Sequence, residues 1–372
     1  MIKFIDIIQD LAYGDCGKGA VAYSLSKKPE YDICMRVNGG SNAGHTIYHN
    51  GKKFVTHQVP TGIFHGKRCI IGSGCVVNVS KLLDEIKELE AEGISCKGKI
   101  FIAYNAHIVM ANHVREEENE SKIGTTKQGI GPCYRDKYAR KGARAFDLLY
   151  EHNFLDEETG ESHKGFVYSE SYGTLKDHVQ DMIIDLYDVL YRPNEELGIL
   201  VEGAQGFYLD IDHGDYPYVS SSHSSVAGAL LNCLPFTKVR KVYGVIKAYE
   251  TYVGARKFQP DDPIFDKLGD LGMEYGATTG RRRQCNWLDL SRLIKAAQIN
   301  CVTHLVVSKL DILRELNFQE DNKYWKMKIG DIFNFVDIDD FTMSLEDKLF
   351  GYCDITMENI QFKYGPEQEI II

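Results

Sequence analysis

Several things are missing from this sequence, and each absence excludes a class. No apolar run reaches the roughly 18 residues that a membrane span needs. Ten cysteines are scattered along the chain, but none form a C-x-x-C pair, so neither a zinc knuckle nor a redox motif is indicated. The opening residues, Met1 to Asp6, are too short and too acidic for a signal peptide. Reduced cysteines and a cytoplasmic setting (host cytoplasm if the source is viral) are therefore expected. Positive charge is in deficit. A net charge of −10 argues against general nucleic-acid affinity, so any nucleotide must be met by a local basic pocket. There is no internal repeat, low-complexity tract or clear linker, and the whole of 1–372 is read as a single catalytic domain. Its length leaves room for a sizeable core.

A standard Walker loop is absent too. That pattern needs Gly five residues before a Gly-Lys pair and Ser or Thr after it. Here those positions hold Ala12 and Gly19. What stands there is Tyr13-Gly14-Asp15-Cys16-Gly17-Lys18-Gly19, between an apolar strand (2–8) and a helix start (20–26). Three glycines let the backbone turn sharply and approach a ligand closely. Their N–H groups and the helix N-terminus would face an anion, most simply a phosphate. Lys18 adds a cation, and Asp15 a carboxylate able to bind Mg²⁺ or take a proton. Cys16 has no His nearby in sequence, so it reads as packing rather than nucleophile.

The same grammar repeats. A strand (31–37) delivers Asn38-Gly39-Gly40-Ser41-Asn42-Ala43-Gly44-His45-Thr46, and another (199–201) delivers Glu202-Gly203-Ala204-Gln205-Gly206. Further strands are expected at 52–59, 68–71, 99–104, 238–248 and 303–307. Helices are expected after Ser80, over 174–191 and over 291–299, with 151–172 a surface excursion and 255–273 mostly loop. Strands alternating with helices predict an α/β fold with a large, mostly parallel central sheet flanked by helices. Small-residue loops that follow parallel strands gather at one sheet edge, where ligands bind.

Two basic stretches stand out in an acidic chain. Residues 124–132 form a glycine-rich loop containing Lys127, and Tyr134 to Arg144 follow with Arg135, Lys137, Arg140, Lys141 and Arg144. Residues 276–283 end in Arg281-Arg282-Arg283, which repel one another unless anions or acids surround them. A dicarboxylate suits such guanidinium groups, which grip carboxylate in a two-pronged way. Ser308-Lys309-Leu310-Asp311 ends a strand. A carboxylate there could accept from both N1–H and N2–H₂ of guanine, a pair that adenine does not offer.

Together, GDCGKG at 14–19, GGSNAGHT at 39–46, GTTKQGIGP at 124–132, EGAQGFYLDIDHGDYPYV at 202–219, GATTGRRR at 276–283 and SKLD at 308–311 resemble the adenylosuccinate synthetase family in order and spacing. The resemblance implies a P-loop-NTPase-like fold and a homodimer that joins IMP to aspartate using GTP and Mg²⁺. By matching position, Asp15 would be the base that removes N1–H, His45 the acid that helps GDP leave, and Lys18 a contact to the moving phosphate. Asp15 and Gly44 would hold Mg²⁺. Gly14, Gly17, Lys18, Gly19, Gly44, His45, Thr46, Arg283, Lys309, Asp311 and Gly365 would bind GTP. Asp15, Asn42, Ala43, Thr126, Gln205, Ser220 and Arg281 would hold IMP, with Arg140 reaching across the dimer. Ala277, Thr278, Thr279, Arg281 and Arg283 would bind aspartate.

The chain departs from the family at Lys127-Gln128, where Gly-Arg is usual. It departs again at Tyr252-Val253-Gly254-Ala255-Arg256-Lys257-Phe258-Gln259, where Arg-Val-Gly-Ala-Gly-Pro-Phe-Pro is usual, and at Lys363, where a small hydroxyl residue is usual. Two other readings stand beside this one. A viral branch of the same family uses dGMP, although some of its members carry Ser where this chain has Asp15. A GTP-binding regulatory protein would explain Lys18 and Lys309-x-Asp311 but would leave the arginine loop unused.

Overall fold

A computed structural model describes the chain except for residues 119, 121–122, 156–161, 277–279, 321–325, 330, 336, 354 and 364–372. Nine strands form the central sheet: β1 (Ile2–Asp10), β2 (Ile33–Arg36), β3 (Arg68–Ile71), β4 (Ile100–Ala103), β5 (Ile183–Ile184), β6 (Leu197–Glu202), β7 (Val239–Lys247), β8 (His304–Ser308) and β9 (Ile360–Phe362). Their order is β5-β4-β3-β2-β6-β1-β7-β8-β9, and every neighbouring pair is parallel. A parallel sheet is covered on both faces, so its strands read as continuous apolar runs. Ile5, Ile7, Ile8, Ile33, Leu200 and Val201 are buried accordingly.

The helices used below are α1 (Lys18–Ser26), α2 (Val79–Ala91), α3 (Ile130–Ala139), α4 (Ile264–Leu271), α5 (Leu290–Ile299) and α6 (Leu310–Gln319). Beyond β7 the chain turns into a smaller sheet. Tyr249–Tyr252 pairs antiparallel with Gln284–Asp289, so the arginine loop lies between two paired strands.

Three expectations need correction. The helix expected over 174–191 is broken: a short helix (Lys176–Val179) leads to β5, and Asp185 then caps a second helix (Leu186–Tyr191). The edge of the sheet captures Ile183 and Ile184 beside Ile102 and Ala103. Local helical spacing loses there to strand pairing by β-branched residues. The cap of α2 is Asn78, whose side chain accepts from the Lys81 N–H, and not Ser80. The stretch 255–273, dense in Pro and Gly, carries α4, which buries Ile264, Phe265 and Leu268. The basic stretch that begins at Tyr134 lies partly in α3, which starts at Ile130 and ends before Arg140.

Candidate functional site

Asp10 ends β1 fully buried, and its carboxylate shapes the loop that follows. One oxygen accepts from the N–H groups of Ala12 (2.9 Å) and Gly14 (3.2 Å), and the other from the Cys16 N–H (3.0 Å). The second oxygen also meets the Lys18 ammonium at 3.2 Å. Lys18 Nζ donates to the Gln205 carbonyl as well. The loop enters α1 through Gly17 at φ 104°, a conformation that L side chains rarely adopt. Two residues on, a Cβ at Gly19 would lie 2.6 Å from the Cβ of His45. Glycine there is what lets the second loop pack against α1.

That second loop leaves β2. His45 Nδ1 is hydrogen-bonded to Glu202 Oε1 at the end of β6, and Arg36 Nη1 lies 3.4 Å from the same nitrogen. Glu202 also accepts from the Thr61 N–H at 2.9 Å and its hydroxyl at 3.1 Å. Burial and Arg36 pull the His45 imidazole down to about 4, against the opposing pull of Glu202. The third loop brings Gln205, whose side-chain oxygen is 3.4 Å from Asn38 Nδ2 and 3.3 Å from Ser222 Oγ. The Ser222 hydroxyl in turn pairs with that of Ser220.

Arg281 and Arg283 close over this group. Arg281 Nη1 donates to the Gly124 carbonyl at 2.9 Å, which ties the two glycine-rich loops together. Arg283 sends Nε and Nη2 to Asp15 Oδ2 (2.9 and 2.8 Å) and Nη1 to Glu274 (2.6 Å). Glu274 also accepts from Lys247 Nζ at 2.8 Å and the Tyr249 hydroxyl at 2.6 Å. Burial alone would raise the Glu274 carboxyl, but Lys247 and Arg283 hold it at about 2. The same contest at Asp15 ends below the ordinary range, because Arg283, Lys247 and Lys18 outweigh burial.

Between these loops lies a cleft of about 560 Å³. Of the residues expected from the sequence, it brings together Gly14, Asp15, Gly17, Lys18, Gly19, Asn42, Ala43, Gly44, His45, Thr46, Thr126, Gln205, Ser220, Arg281 and Arg283. Arg140 does not line it. That residue caps α3 at φ 61° and is exposed. Lys309 and Asp311 lie outside the cleft as well. Lys309 opens α6 at φ 65°, with Nζ on the Gly272 carbonyl at 2.9 Å. Asp311 Oδ1 is buried with no hydrogen-bond partner among the described residues. Ala277, Thr278, Thr279 and Gly365 fall outside the described residues.

Sequence reasoning missed Asp10, Arg36, Glu274 and the role of Glu202. Three of the four sit at strand ends or within strands, where an acid or base breaking an apolar run was the available signal. The departure at 252–259 finds its explanation in packing. Arg256 pairs with Asp215 at 2.7 Å, and so does Arg292 at 2.8 Å. Asp215 also accepts from the Tyr13 hydroxyl at 2.7 Å, so Arg256 supports the Tyr13–Gly19 loop from behind.

Hard oxygen donors suit Mg²⁺. Asp15 Oδ1 carries no hydrogen bond among the described residues, and Gly44 lines the same cleft, so this pair fits such an ion. All ten cysteines are free, and burial pushes the Cys16 thiol up, away from nucleophilic use. Among the described residues no helix is long and apolar enough to cross a membrane.

The sequence profile of the adenylosuccinate synthetase family matches residues 7–320. The adenylosuccinate synthetase of Chlorobium limicola is 41% identical over 336 residues, which cover 82% of this chain and 76% of that protein. That of Thermodesulfovibrio yellowstonii is 40% identical over 335 residues, 82% of this chain and 77% of that one. Among solved structures, fully ligated adenylosuccinate synthetase from Plasmodium falciparum superposes with a TM-score of 0.77 at 25% identity, over 99% of this chain and 98% of that one. Succinoaminodeoxyadenylate synthetase of cyanophage S-2L, solved with dGMP and dATP, gives a TM-score of 0.65 at 22% identity over 93% and 99%, a likeness of fold. A glycine-rich loop at the carboxyl end of a central parallel strand, a carboxylate and a histidine beside it, and a profile match over most of the length lead to one conclusion: the chain belongs to the adenylosuccinate synthetase family, ligases that form a C–N bond.

Proposed function

We propose that this enzyme, working as one catalytic unit over its whole length in the cytoplasm, joins L-aspartate to the purine 6-position of IMP at the expense of GTP, giving adenylosuccinate. The observation that carries the reading is the meeting of Asp15, His45, Gln205 and Arg281 in one cleft. The 6-oxygen of hypoxanthine is a poor leaving group. Asp15 removes the N1 proton, and the electron density moves to O6. O6 then attacks the γ-phosphoryl group, and the bond to the β-phosphate oxygen breaks. Lys18 and the loop N–H groups offset charge on the moving phosphoryl group, and His45 supports the leaving GDP. The aspartate amine next attacks C6, loses a proton and displaces phosphate. Asp15 and the Gly44 carbonyl would hold Mg²⁺, which would supply further charge neutralisation when bound.

The polar rim made by Asn42, Ala43, Thr126, Gln205, Ser220 and Arg281 suits the nucleoside monophosphate. The 277–283 loop suits aspartate, through Ala277, Thr278, Thr279 and the guanidinium groups of Arg281 and Arg283. Thr46 and Gly365 belong with the GTP contacts. Asp311, with an unpartnered buried oxygen, suits the guanine N1–H and N2–H₂ pair, and Lys309 stands beside it. Arg140, exposed at the end of α3, would serve the partner subunit's site in a homodimer.

Purified protein supplied with IMP, aspartate, GTP and Mg²⁺ should form adenylosuccinate, with phosphate release dependent on aspartate. No product from IMP overturns the reading. Turnover of dGMP in its place is not expected, because the relatives at about two-fifths identity are named adenylosuccinate synthetase while the phage enzyme shares the fold at 22%. Phosphate release without aspartate would mark a GTP-hydrolysing regulator instead.

A further inference from the structure

One buried acid of the main cleft has no step in the reaction. Asp15, Glu116, Glu117 and Glu120 all line that cleft, and of these only Glu117 is buried, at 5% exposed. It ends a short helix (Ala111–Glu117) that packs against α3.

Both its oxygens are committed. Oε2 accepts from the Gly129 N–H at 2.8 Å, and Oε1 from the Gly131 N–H at 3.0 Å. Gly129 is the cap of α3, and Gly131 lies in its first turn. N–H groups that open a helix have no partner within it, and a Ser, Thr, Asp or Asn side chain at the cap ordinarily meets them. Gly129, at φ 75°, has no side chain to offer. An acid 12 positions earlier takes over, and the positive end of the α3 dipole favours it there.

The glycines admit that acid. A Cβ at Gly131 would lie 3.2 Å from Glu117 Oε1, and one at Gly129 would lie 2.9 Å from the Val114 nitrogen of the same short helix. His113 Nε2, 3.3 Å from Asp136 Oδ2, ties the two helices a second time.

The loop before α3 is thereby held at both ends. Arg281 takes the Gly124 carbonyl at its start, and Glu117 takes Gly129 and Gly131 at its finish. Between those points the Thr125 hydroxyl oxygen accepts from the Lys127 N–H at 3.2 Å, and Thr125 and Thr126 line the cleft.

We propose that Glu117 is a positioning residue for the nucleoside monophosphate: by fixing the start of α3 it sets where Thr125 and Thr126 stand in the cleft. The proposal rests on the reading of this cleft as the IMP site. Glu117 is no catalytic residue, because both its oxygens are turned to the backbone. Asp10 holds the Tyr13–Gly19 loop through separate hydrogen bonds, so the GTP contacts there do not depend on Glu117.

Steady-state kinetics of Glu117→Ala and Glu117→Gln test this. Glu117→Ala should raise the KM for IMP about tenfold, while the KM for GTP and kcat at saturating IMP stay within about twofold of wild type. Glu117→Gln keeps one acceptor oxygen and should fall between the two. Calorimetric titration with IMP should give the same order of affinities. If Glu117→Ala does not fold, Glu117→Gln decides: a raised KM for IMP beside an unchanged KM for GTP supports the role, and a wild-type KM for IMP overturns it. An equal rise in KM for IMP, GTP and aspartate, with a lowered melting temperature, marks a purely structural acid and also overturns it. The two readings fail differently. A wild type that neither binds IMP nor forms adenylosuccinate removes the assigned function and this proposal together. A wild type active on IMP, with Glu117→Ala indistinguishable from it, removes the proposal alone.

Discussion

Arg283 grips the same oxygen of Asp15 with two nitrogens, at 2.9 and 2.8 Å. The carboxylate proposed as the base is therefore engaged by a guanidinium of the chain itself. Its side chain is still 35% exposed toward the cleft, so a ligand can reach the other oxygen. Asp15→Ala should lower kcat by about 10²–10⁴-fold, while GTP and IMP still bind in equilibrium titrations. Near-normal turnover would remove Asp15 from the base role.

Guanine reading at Asp311 gives a second expectation. Asp311→Asn replaces an acceptor-only carboxylate with an amide that presents donors to the guanine edge. The apparent affinity for GTP should fall roughly tenfold or more, and discrimination against xanthosine triphosphate should relax. Competition kinetics with the two triphosphates would check it. Unchanged selectivity would place base recognition elsewhere.

The Lys247–Glu274 pair has both side chains almost wholly enclosed, at 2% and 0% exposed. Glu274→Ala leaves Lys247 and Arg283 without their shared acid in a low-dielectric setting. Removing one partner of such a pair costs about 3–5 kcal/mol. Denaturant unfolding should show a loss of that order, and activity should fall with it, because Arg283 would have only Asp15 to hold.

Glu250 sets a pH dependence. Burial raises its carboxyl from 4.5 to about 8, against the opposing effect of Arg292. Between those values the folded chain keeps a proton that the unfolded chain has released. Stability from this group therefore falls as pH rises through that window, by at most about 1.4 kcal/mol for each pH step of one. Glu250→Gln removes the titration. Its melting temperature relative to wild type should climb steadily between about pH 5 and pH 8, and parallel curves would contradict the assignment.

A homodimer that shares Arg140 predicts complementation. Arg140→Leu and Asp15→Ala should each be nearly inactive alone. Mixed after partial unfolding, they should regain partial activity, because one site in a hybrid pairs an intact Asp15 with an intact Arg140 from the other chain. No recovery in verified hybrids would place Arg140 outside the site.

The loops could be read in the sequence because glycine density and a preceding apolar strand are local properties. Asp15, Lys18, His45 and Gln205 are legible that way and Arg281 through the run of three arginines, and all five share one cleft. The residues that hold them were harder to see. Glu202 is 157 positions from His45, and Asp15 is 268 from Arg283, so only the fold pairs them. The broken helix at 174–191 failed for a related reason. Its apolar spacing fits a helix, and only the exposed edge of β4 makes a strand of Ile183 and Ile184 preferable. The helix α4 was obscured by the Pro and Gly residues around it, although its apolar face was regular.

The Asp10 carboxylate receives three backbone N–H groups and an ammonium, and so does inside the protein what a phosphate would do from outside. The loop thus carries an internal surrogate that holds its curvature from within. On the proposed function, entry of a triphosphate becomes a handover of Lys18 from one anion to another, with little rebuilding of backbone left to do.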